Sequence, residues 1–401
     1  MRSVWQADFK KFAPGLRVSV APAHERGVAF SEVADVYITN HDAVKWLALQ
    51  KPAFFKNFGE LIVDESTAFK HHTSKRSKAV AKIAKYFNRR TLMTGTPNTL
   101  SITDVWHQAF ILDGGVRLGP SYYSFRNSVC QPGQVGRSEH AIKWRDRDGA
   151  EEAVFNQLDD IVIRHKLDDC ADIPPNHHYT LPYTHSPKQQ KAFDDMQQTQ
   201  IMLLDSAAKQ PTSVIAVNAA AVATKLLQIA SGAVYTSPDV YTVIDPSRYE
   251  LVMDLVEQRK HPLVFFLWKH QRDLLVKEAE SRKLKYAVID GTTSDDKRRQ
   301  IEQGYQAGLY DVLIGHPKTV AHGFTFTKGT STIWTSPTQN LEWYDQGSRR
   351  QRRLGQTEKT QTITVLANND VEHAVYADLQ EKNSRMNNLL SLFETLKQKY
   401  T

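Results

Sequence analysis

The stretch LIVDESTAFK, from Leu61 to Lys70, constrains the fold more than any other part of this sequence. Three apolar residues run directly into two adjacent carboxylates, Asp64 and Glu65. This pattern is typical of a buried parallel strand that ends at the carboxyl edge of a sheet, where open α/β folds bind their ligands. Adjacent acids at such an edge suit a magnesium-bound nucleotide. Taken alone, the stretch is also compatible with a strand that ends in a solvated acidic turn.

A second stretch, RTLMTGTP from Arg90 to Pro97, supports the nucleotide interpretation. It has the pattern of another strand that ends in a turn rich in hydroxyl groups. Strands and helices alternate around both stretches, and alternation at this spacing predicts a parallel sheet. We therefore expect an α/β fold.

The alternation occurs in two blocks, which predicts two α/β domains. The first is expected over residues 1–175, with an irregular brace at about 114–149. A helical segment follows over 176–245. The second domain is expected over 246–401 and ends in a helix.

Composition limits the class of protein. The chain has 401 residues, a formal net charge of +7 and only two cysteines. The excess of basic residues permits a polyanionic partner. The small number of cysteines argues against a disulfide scaffold or a zinc site. No apolar segment is long enough to cross a bilayer, and the polar N-terminus does not have the pattern of a signal peptide. A soluble, intracellular protein is expected.

In the second block the chemistry lies in QGSRRQRRLGQ, from Gln346 to Gln356. Arg350 and Arg353 are three residues apart, so on a helix they share a face and could meet one anion. Arginine pairs of this kind stabilise a phosphoryl group during its transfer. A solvated basic helix end or a nucleic-acid patch is the alternative. Upstream, HPKTVAHG from His316 to Gly323 favours a phosphate-contacting loop over a metal site, because no acid or cysteine accompanies its histidines.

Together these stretches resemble a known family. DEST at Asp64–Thr67, TGTP at Thr94–Pro97 and the arginine string look like motifs II, III and VI of superfamily-two helicases, and most of all the Swi/Snf type. ILDGGVRLG, LLQIASGAVY, HPKTVAHGF and LEWYDQ further resemble compact helicase-like proteins of bacteriophages. The resemblance implies two RecA-like lobes with parallel sheets, of which the first is truncated at its N-terminus. It also implies binding of ATP and Mg2+ and tracking along double-stranded DNA.

The resemblance also implies roles for individual residues. Asp64 would hold Mg2+, and Glu65 would orient or deprotonate the attacking water. Gln346, Arg350 and Arg353 match motif VI, and the two arginines are candidate fingers for the γ-phosphate. Gly323 lies in the motif V loop at the nucleotide. The implied DNA contacts, which hold phosphates and read no sequence, are Thr39, Asn40, Thr94, Thr96, Lys318 and Thr319.

One departure from the family is large. The family uses a P-loop, G-x-x-x-x-G-K-[ST], to cradle the phosphates of ATP, and this sequence contains no Gly-Lys dipeptide. Its start, MRSVW, aligns just after the place of that loop. A late start, a split gene whose other piece supplies the loop, and a true loss of ATPase activity all remain open.

The function expected from the resemblance is ATP-dependent translocation on double-stranded or branched DNA, in replication, recombination or repair. If the protein is phage-encoded, it would act in the bacterial host cytoplasm. The alternative is an ATPase-deficient DNA-binding protein, or half of a split helicase that needs a partner chain for the P-loop. A nuclease that uses Asp64 and Glu65 is a weaker alternative, since no third carboxylate stands at a suitable spacing.

Overall fold

A computed structural model of the protein describes residues 2–95, 97, 101–134, 142–163, 165, 170–207, 212–320 and 323–384. The chain forms two compact units. Unit 1 contains Met1–Arg164 together with Lys382–Thr401, and unit 2 contains His165–Glu381. Among the described residues, no helix is both long and apolar enough to span a membrane.

Unit 1 contains two separate pairs of parallel strands. In the first pair β1 (Val18–Val20) lies beside β2 (Val36–Ile38), and in the second β3 (Glu60–Val63) lies beside β4 (Arg89–Leu92). The register of the second pair places Val63 opposite Leu92, so both strands end at the same edge. The strands predicted around Leu61 and Arg90, and their parallel arrangement, are confirmed.

The second pair is unusually open for parallel strands, which are normally covered on both faces. Ile62 on β3 is 49 % exposed, and no residue of β4 is fully buried. Within the described part of the chain each of these strands has one hydrogen-bonded neighbour strand. One edge of each strand therefore has no strand partner there.

Helices and 3₁₀ turns pack around these strands. Ser74 caps the helix that follows the acidic strand, since its side chain accepts a hydrogen bond from the backbone N–H of Ser77. The apolar face of that helix, with Val80 and Ile83, packs in one core with Phe55 and Phe69. The helices are α1 (Arg2–Phe12), α2 (Arg26–Ser31), α3 (Ala43–Leu47), α4 (Lys75–Ala84), α5 (Trp106–Asp113), α6 (Tyr122–Val129) and α7 (Ala150–Leu158), with 3₁₀ turns at Pro52–Asn57, Ser66–Phe69 and Ile102–Val105.

The segment expected to be an irregular brace, at about 114–149, is more regular than its composition indicates. It contains α6 and an antiparallel hairpin of β5 (Cys130–Gln134) and β6 (Ile142–Asp146). The side chain of Ser121 caps α6, and Phe125 packs with Val154 and Phe155 in a second core of unit 1. This burial orders a segment whose glycines and charges had indicated a loop.

Unit 2 is built on a six-stranded sheet in which all neighbouring strands are parallel. Two adjacent inner strands, β10 (Leu263–Phe265) and β12 (Val312–Gly315), are fully buried, as expected for apolar runs in a parallel sheet. The strands are β7 (Asn176–Tyr183), β10 (Leu263–Phe265), β11 (Tyr286–Ile289), β12 (Val312–Gly315), β13 (Ser331–Trp334) and β14 (Thr360–Ala367), in the spatial order β11–β12–β10–β13–β14–β7; a hairpin of β8 (Ala233–Ser237) and β9 (Val240–Val243) is separate.

The helices of unit 2 alternate with these strands. They are α8 (Pro187–Ala207), α9 (Thr212–Ala230), α10 (Ser247–Glu257), α11 (Lys269–Ser281), α12 (Asp295–Gln306), α13 (Pro317–Val320) and α14 (Leu341–Ser348), and residues 370–384 are helical as well. The α/β class expected from the sequence is confirmed.

Strand β7 explains why the two units divide before residue 175. All eight of its residues pair with β14, from Asn176 opposite Thr360 to Tyr183 opposite Ala367. The segment 176–245, expected to be a helical link, therefore contributes an edge strand and two helices to unit 2. The expected boundaries at 175/176 and 245/246 do not coincide with the division into compact units.

A buried ion pair holds the carboxyl ends of three strands of unit 2. Arg248 and Glu372 are both 0 % exposed, and the Arg248 Nη2 lies 2.9 Å from the Glu372 Oε1. Arg248 Nη1 donates to the backbone oxygen of Thr335, which follows β13, at 3.1 Å. The backbone N–H of Ala367, the last residue of β14, donates to Glu372 Oε2, and the guanidinium of Arg248 lies over the ring of Tyr183.

We expect Arg248→Met to lower the free energy of unfolding by about 3–5 kcal/mol, because the substitution leaves the Glu372 carboxylate buried without its cation. The matched control is Lys260→Met, which removes an exposed ion pair with Glu358 and should cost less than about 1 kcal/mol. Urea denaturation followed by tryptophan fluorescence measures both. Equal losses in the free energy of unfolding would show that the buried pair stabilises the fold no more than the exposed pair does.

Candidate functional site

The two carboxylates of unit 1 lie directly after β3, as the sequence indicated. The chain turns sharply there, because Glu65 adopts a left-handed conformation with φ 49° and ψ 54°. Such a conformation is strained for a residue with a side chain, and it persists only where neighbouring contacts hold it. Backbone hydrogen bonds from Met93 to Val63 and from Ser66 to Met93 tie this turn to the end of β4.

Asp64 is held from several directions. The Trp5 indole donates from Nε1 to Asp64 Oδ2 at 3.0 Å, and the backbone N–H of Glu65 donates to Asp64 Oδ1 at 2.9 Å. His41 donates from Nε2 to the Asp64 backbone oxygen at 2.8 Å. Burial lowers the pKa of His41, against the opposing effect of that hydrogen bond. The imidazole is therefore neutral at neutral pH and orients the acidic turn without adding charge.

The donor set fits Mg2+, which is commonly bound through one or two carboxylates plus phosphate oxygens of the substrate. Asp64 and Glu65 supply adjacent carboxylates at a half-buried strand end. Each Asp64 oxygen accepts one of the two hydrogen bonds described above, and a carboxylate oxygen has a further lone pair for a cation. Within the described ranges no cluster of three or more His, Cys, Asp or Glu forms a metal cage of protein ligands alone.

The turn after β4 lies next to the acidic turn. Thr94 is half-buried there, whereas Thr96 lies outside the described residues. Gln108, a buried side chain on α5, joins the two turns: its Oε1 accepts from Ser66 Oγ at 2.7 Å, and its Nε2 donates to the Pro97 backbone oxygen at 2.7 Å. Local sequence patterns do not single out Gln108, because its partners are distant in the chain.

The two predicted DNA contacts after β2 differ in exposure. Thr39 follows β2, and its hydroxyl donates at 3.0 Å to the backbone oxygen of Ala21, which follows β1. This hydrogen bond joins the ends of the two strands. Asn40 is exposed, and its side-chain oxygen accepts from Arg26 Nη2 at 3.1 Å. An exposed amide beside an arginine is suited to contact a phosphate.

In unit 2 the loop after β12 carries the other predicted contacts. Lys318 is exposed and Thr319 is half-buried, both on the short helix α13. The backbone N–H of Lys318 donates to His316 Nδ1 at 3.2 Å, and burial, followed by the charge of Lys318, lowers the pKa of His316. Gly323, with φ 78°, adopts the left-handed conformation that glycine tolerates.

The arginine motif departs from the helical arrangement expected for it. Helix α14 ends at Ser348, so Gln346 lies on the helix whereas Arg350 and Arg353 follow it in a series of turns. The guanidinium of Arg350 links this turn to its surroundings. Its Nε donates to the Gln346 backbone oxygen at 2.9 Å, and its Nη1 donates to the Phe324 backbone oxygen at 3.1 Å. Because both arginines follow the helix, the argument that they would share one helical face does not apply to them.

This geometry separates the roles of the two arginines. Arg350 is 4 % exposed and clamps backbone oxygens of its own unit, and the backbone N–H of Phe326 donates to the Arg350 oxygen. Arg353 is half-buried and so is more accessible to a ligand than Arg350. Gln346 is also buried, at 7 % exposure.

Glu302 on α12 completes the surroundings of this motif. Its Oε1 accepts from the backbone N–H of Thr325 at 2.8 Å. Burial raises the pKa of Glu302, whereas the Thr325 hydrogen bond and then the charges of Arg353 and Arg350 lower it. An acid on an amphipathic helix normally indicates a solvated face, so sequence patterns alone could not have identified this contact.

Comparison with known proteins identifies the family. Residues 1–230 match the SNF2-related domain, and residues 247–355 match the helicase conserved C-terminal domain. The chain belongs to the SNF2-related family. The Swi/Snf-type resemblance stated from the three motifs is therefore confirmed.

Two relatives are similar to almost the whole of this SNF2-related chain. Putative protein p41 of Acyrthosiphon pisum secondary endosymbiont phage 1 is 27% identical, over 99% of this chain and 86% of that protein. An uncharacterized ATP-dependent helicase of Mycoplasma pneumoniae is 21% identical over 98% of this chain, which spans 37% of that protein.

Among solved structures, the Sulfolobus solfataricus SWI2/SNF2 ATPase core in complex with dsDNA is similar at 18% identity and a TM-score of 0.42, over 97% of this chain and 80% of that one. The C-terminal part of the Fun30 ATPase domain is similar at 14% identity and a TM-score of 0.41, over 57% of this chain and 99% of that one.

We expect Gln108→Leu to lower the free energy of unfolding by about 1–3 kcal/mol, because it leaves the buried Ser66 hydroxyl and the Pro97 oxygen without their partner. Gln50→Leu is the matched control: the Gln50 amide donates to the Trp46 oxygen four residues earlier in the chain, and its loss should cost less than about 0.5 kcal/mol. Urea denaturation compares them, and equal losses would contradict the bridging role.

Proposed function

We propose that this protein is an ATP-dependent translocase that moves along double-stranded DNA. The observation that carries the proposal is the match of both helicase domains, combined with Asp64 and Glu65 at the carboxyl end of a parallel strand. Carboxylates at such an edge bind a magnesium nucleotide and position water, which is the chemistry that ATP hydrolysis requires.

Each motif residue has a role in this proposal. Asp64 holds Mg2+, which when bound supplies positive charge to the phosphates of ATP. Glu65 orients the attacking water or accepts its proton, and the strained backbone at this residue fixes the direction of its side chain. Arg353 contacts the γ-phosphate and stabilises the charge that develops there. Arg350 and Gln346 hold the surrounding loop, which includes Gly323.

DNA binding in this proposal depends mainly on phosphates. The formal net charge of +7 favours a polyanion, and a structure similar to this chain is described as a complex with dsDNA. The contacts proposed for the sugar–phosphate backbone carry no base-reading chemistry, so binding to duplex or branched DNA should be largely independent of sequence. They are Thr39, Asn40, Thr94, Thr96, Lys318 and Thr319.

The setting proposed for this activity is a bacterial host cytoplasm during phage DNA replication, recombination or repair. A relative from an endosymbiont phage supports this setting. Movement along duplex DNA could serve any of the three processes by displacing bound proteins or by moving branches.

A second candidate is a DNA-binding protein that hydrolyses ATP only with a further polypeptide. Two observations favour it. The sequence contains no Gly-Lys dipeptide to supply the usual lysine grip on the phosphates. In addition, β3 and β4 each have an edge without a strand partner among the described residues, and such an edge can accept an added strand.

We expect Arg353→Ala to reduce DNA-stimulated ATP turnover by about 10³-fold or more, the usual scale for a finger arginine. Circular dichroism and the melting temperature check that the variant remains folded. Arg349→Ala is the matched control: it removes an exposed arginine that pairs with Asp345 and should leave turnover within about twofold. Phosphate release in the presence of duplex DNA measures both.

Two results would contradict the roles proposed for Arg353 and for the chain as an ATPase. Unchanged turnover in Arg353→Ala would exclude its contact with the γ-phosphate. If the parent chain binds duplex DNA but releases no phosphate, the second candidate is correct.

A further inference from the structure

Unit 1 carries an aromatic and basic surface outside all the motif residues described above. It is formed by Tyr123 and Arg126 on α6 and by Trp144 on β6, and we refer to these three residues as the α6–β6 surface. The hairpin that contributes β6 is the segment that composition alone had indicated to be irregular.

The side chains of this surface form a stack. The Arg126 guanidinium carbon lies 3.8 Å from the centre of the Trp144 ring and 5.4 Å from that of Tyr123. Both contacts are within the range of cation–π attraction. Tyr123 is nevertheless 60% exposed, so much of this large ring is available to a ligand.

The stack rests on a firm base. Tyr122, the neighbour of Tyr123, stacks on His72 with ring centres 4.0 Å apart and meets the edge of Trp106 at 5.6 Å. Phe125, one turn further along α6, is 5% exposed and belongs to the second core of unit 1. The exposed tyrosine is therefore presented by a packed helix, which lowers the entropy lost when a flat ligand stacks on it.

The surface is positively charged. Among the described residues no ion pair joins Arg126 to a carboxylate, and its Nη2 donates to the Asn127 side-chain oxygen at 3.4 Å. The neighbouring acid, Asp146, is already engaged by the Ser101 hydroxyl at 2.6 Å and by the Ile102 backbone N–H at 3.2 Å. Asp148, in the adjacent turn, is exposed.

Further basic groups lie near the base of the stack. Burial, followed by the positive charges of Lys78 and His71, lowers the pKa of His72, which stacks beneath Tyr122. Lys75 and Lys78 are exposed on α4. Positive charge therefore also lies near His72 and Tyr122, which support the stack.

We propose that the α6–β6 surface binds single-stranded DNA, with an unpaired base stacked on Tyr123 and an adjacent phosphate beside Arg126. Every base has a π-face that can stack on a tyrosine. Every phosphate carries a negative charge that the Arg126 guanidinium can bind. In duplex DNA the faces of the bases are covered by their neighbours, so the ring selects unpaired strands. The surface is separate from the motif residues of the proposed function.

The test is fluorescence anisotropy with a labelled single-stranded oligonucleotide and the full chain, without ATP, so that a failure of ATP hydrolysis does not affect it. Tyr123→Ala should weaken binding between about fivefold and a hundredfold, the scale of one base–aromatic stack. Tyr123→Phe keeps the ring and should bind like the parent within about twofold. Tyr179→Ala, which removes a 46% exposed tyrosine from unit 2, should also bind like the parent.

The same titrations with a blunt duplex complete the test. The proposal requires that Tyr123→Ala lose affinity for the single strand and keep its affinity for the duplex. It is overturned if Tyr123→Ala binds the single strand like the parent, if Tyr123→Phe loses as much as Tyr123→Ala, or if the loss is equal on the duplex. Unchanged circular dichroism and melting temperature show that each variant is folded.

Discussion

Hydrogen bonding between parallel strands decides where this chain can carry out chemistry. Because parallel strands end at a common edge, the register of β3 with β4 brings the acidic turn beside the threonine turn. In unit 2 the buried pair of Arg248 and Glu372 holds strand ends together, since it contacts the carboxyl ends of β7, β13 and β14. The loops that carry Gly323 and Arg350 start from a sheet whose strand ends are held in this way. The placement of the functional groups follows from backbone pairing and one buried charge pair.

Local sequence patterns predicted the elements whose stability is mostly local or fully buried. The helical segment expected over 176–245 does contain two long helices, α8 and α9. Strand β7 was missed because its polar residues and Pro182 argue against a strand. Its place at the edge of the sheet, paired along its whole length with β14, makes that composition acceptable.

The candidate site was predictable as a set of residues but not as a set of contacts. Asp64 and Glu65 follow their strand as expected, and the family assigned from the motifs is confirmed. The contact between Trp5 and Asp64 joins residues 59 positions apart, and no periodicity encodes such a pairing. The same is true of Gln108 with Ser66 and of Glu302 with Thr325. Likewise, local patterns do not predict that Arg350 donates hydrogen bonds to two backbone oxygens after the helix has ended.

In the proposed function, ATP hydrolysis at Asp64 and Glu65 drives movement along duplex DNA. The most direct measurement is displacement of a labelled third strand from a DNA triplex, because a protein that only binds DNA does not remove that strand. We expect displacement by this chain with ATP and Mg2+, none with a non-hydrolysable ATP analogue, and none by Glu65→Gln. The matched control Glu60→Gln, which changes an exposed acid of the same strand, should retain displacement. Binding to the triplex substrate without ATP-dependent displacement by the parent chain would contradict the claim.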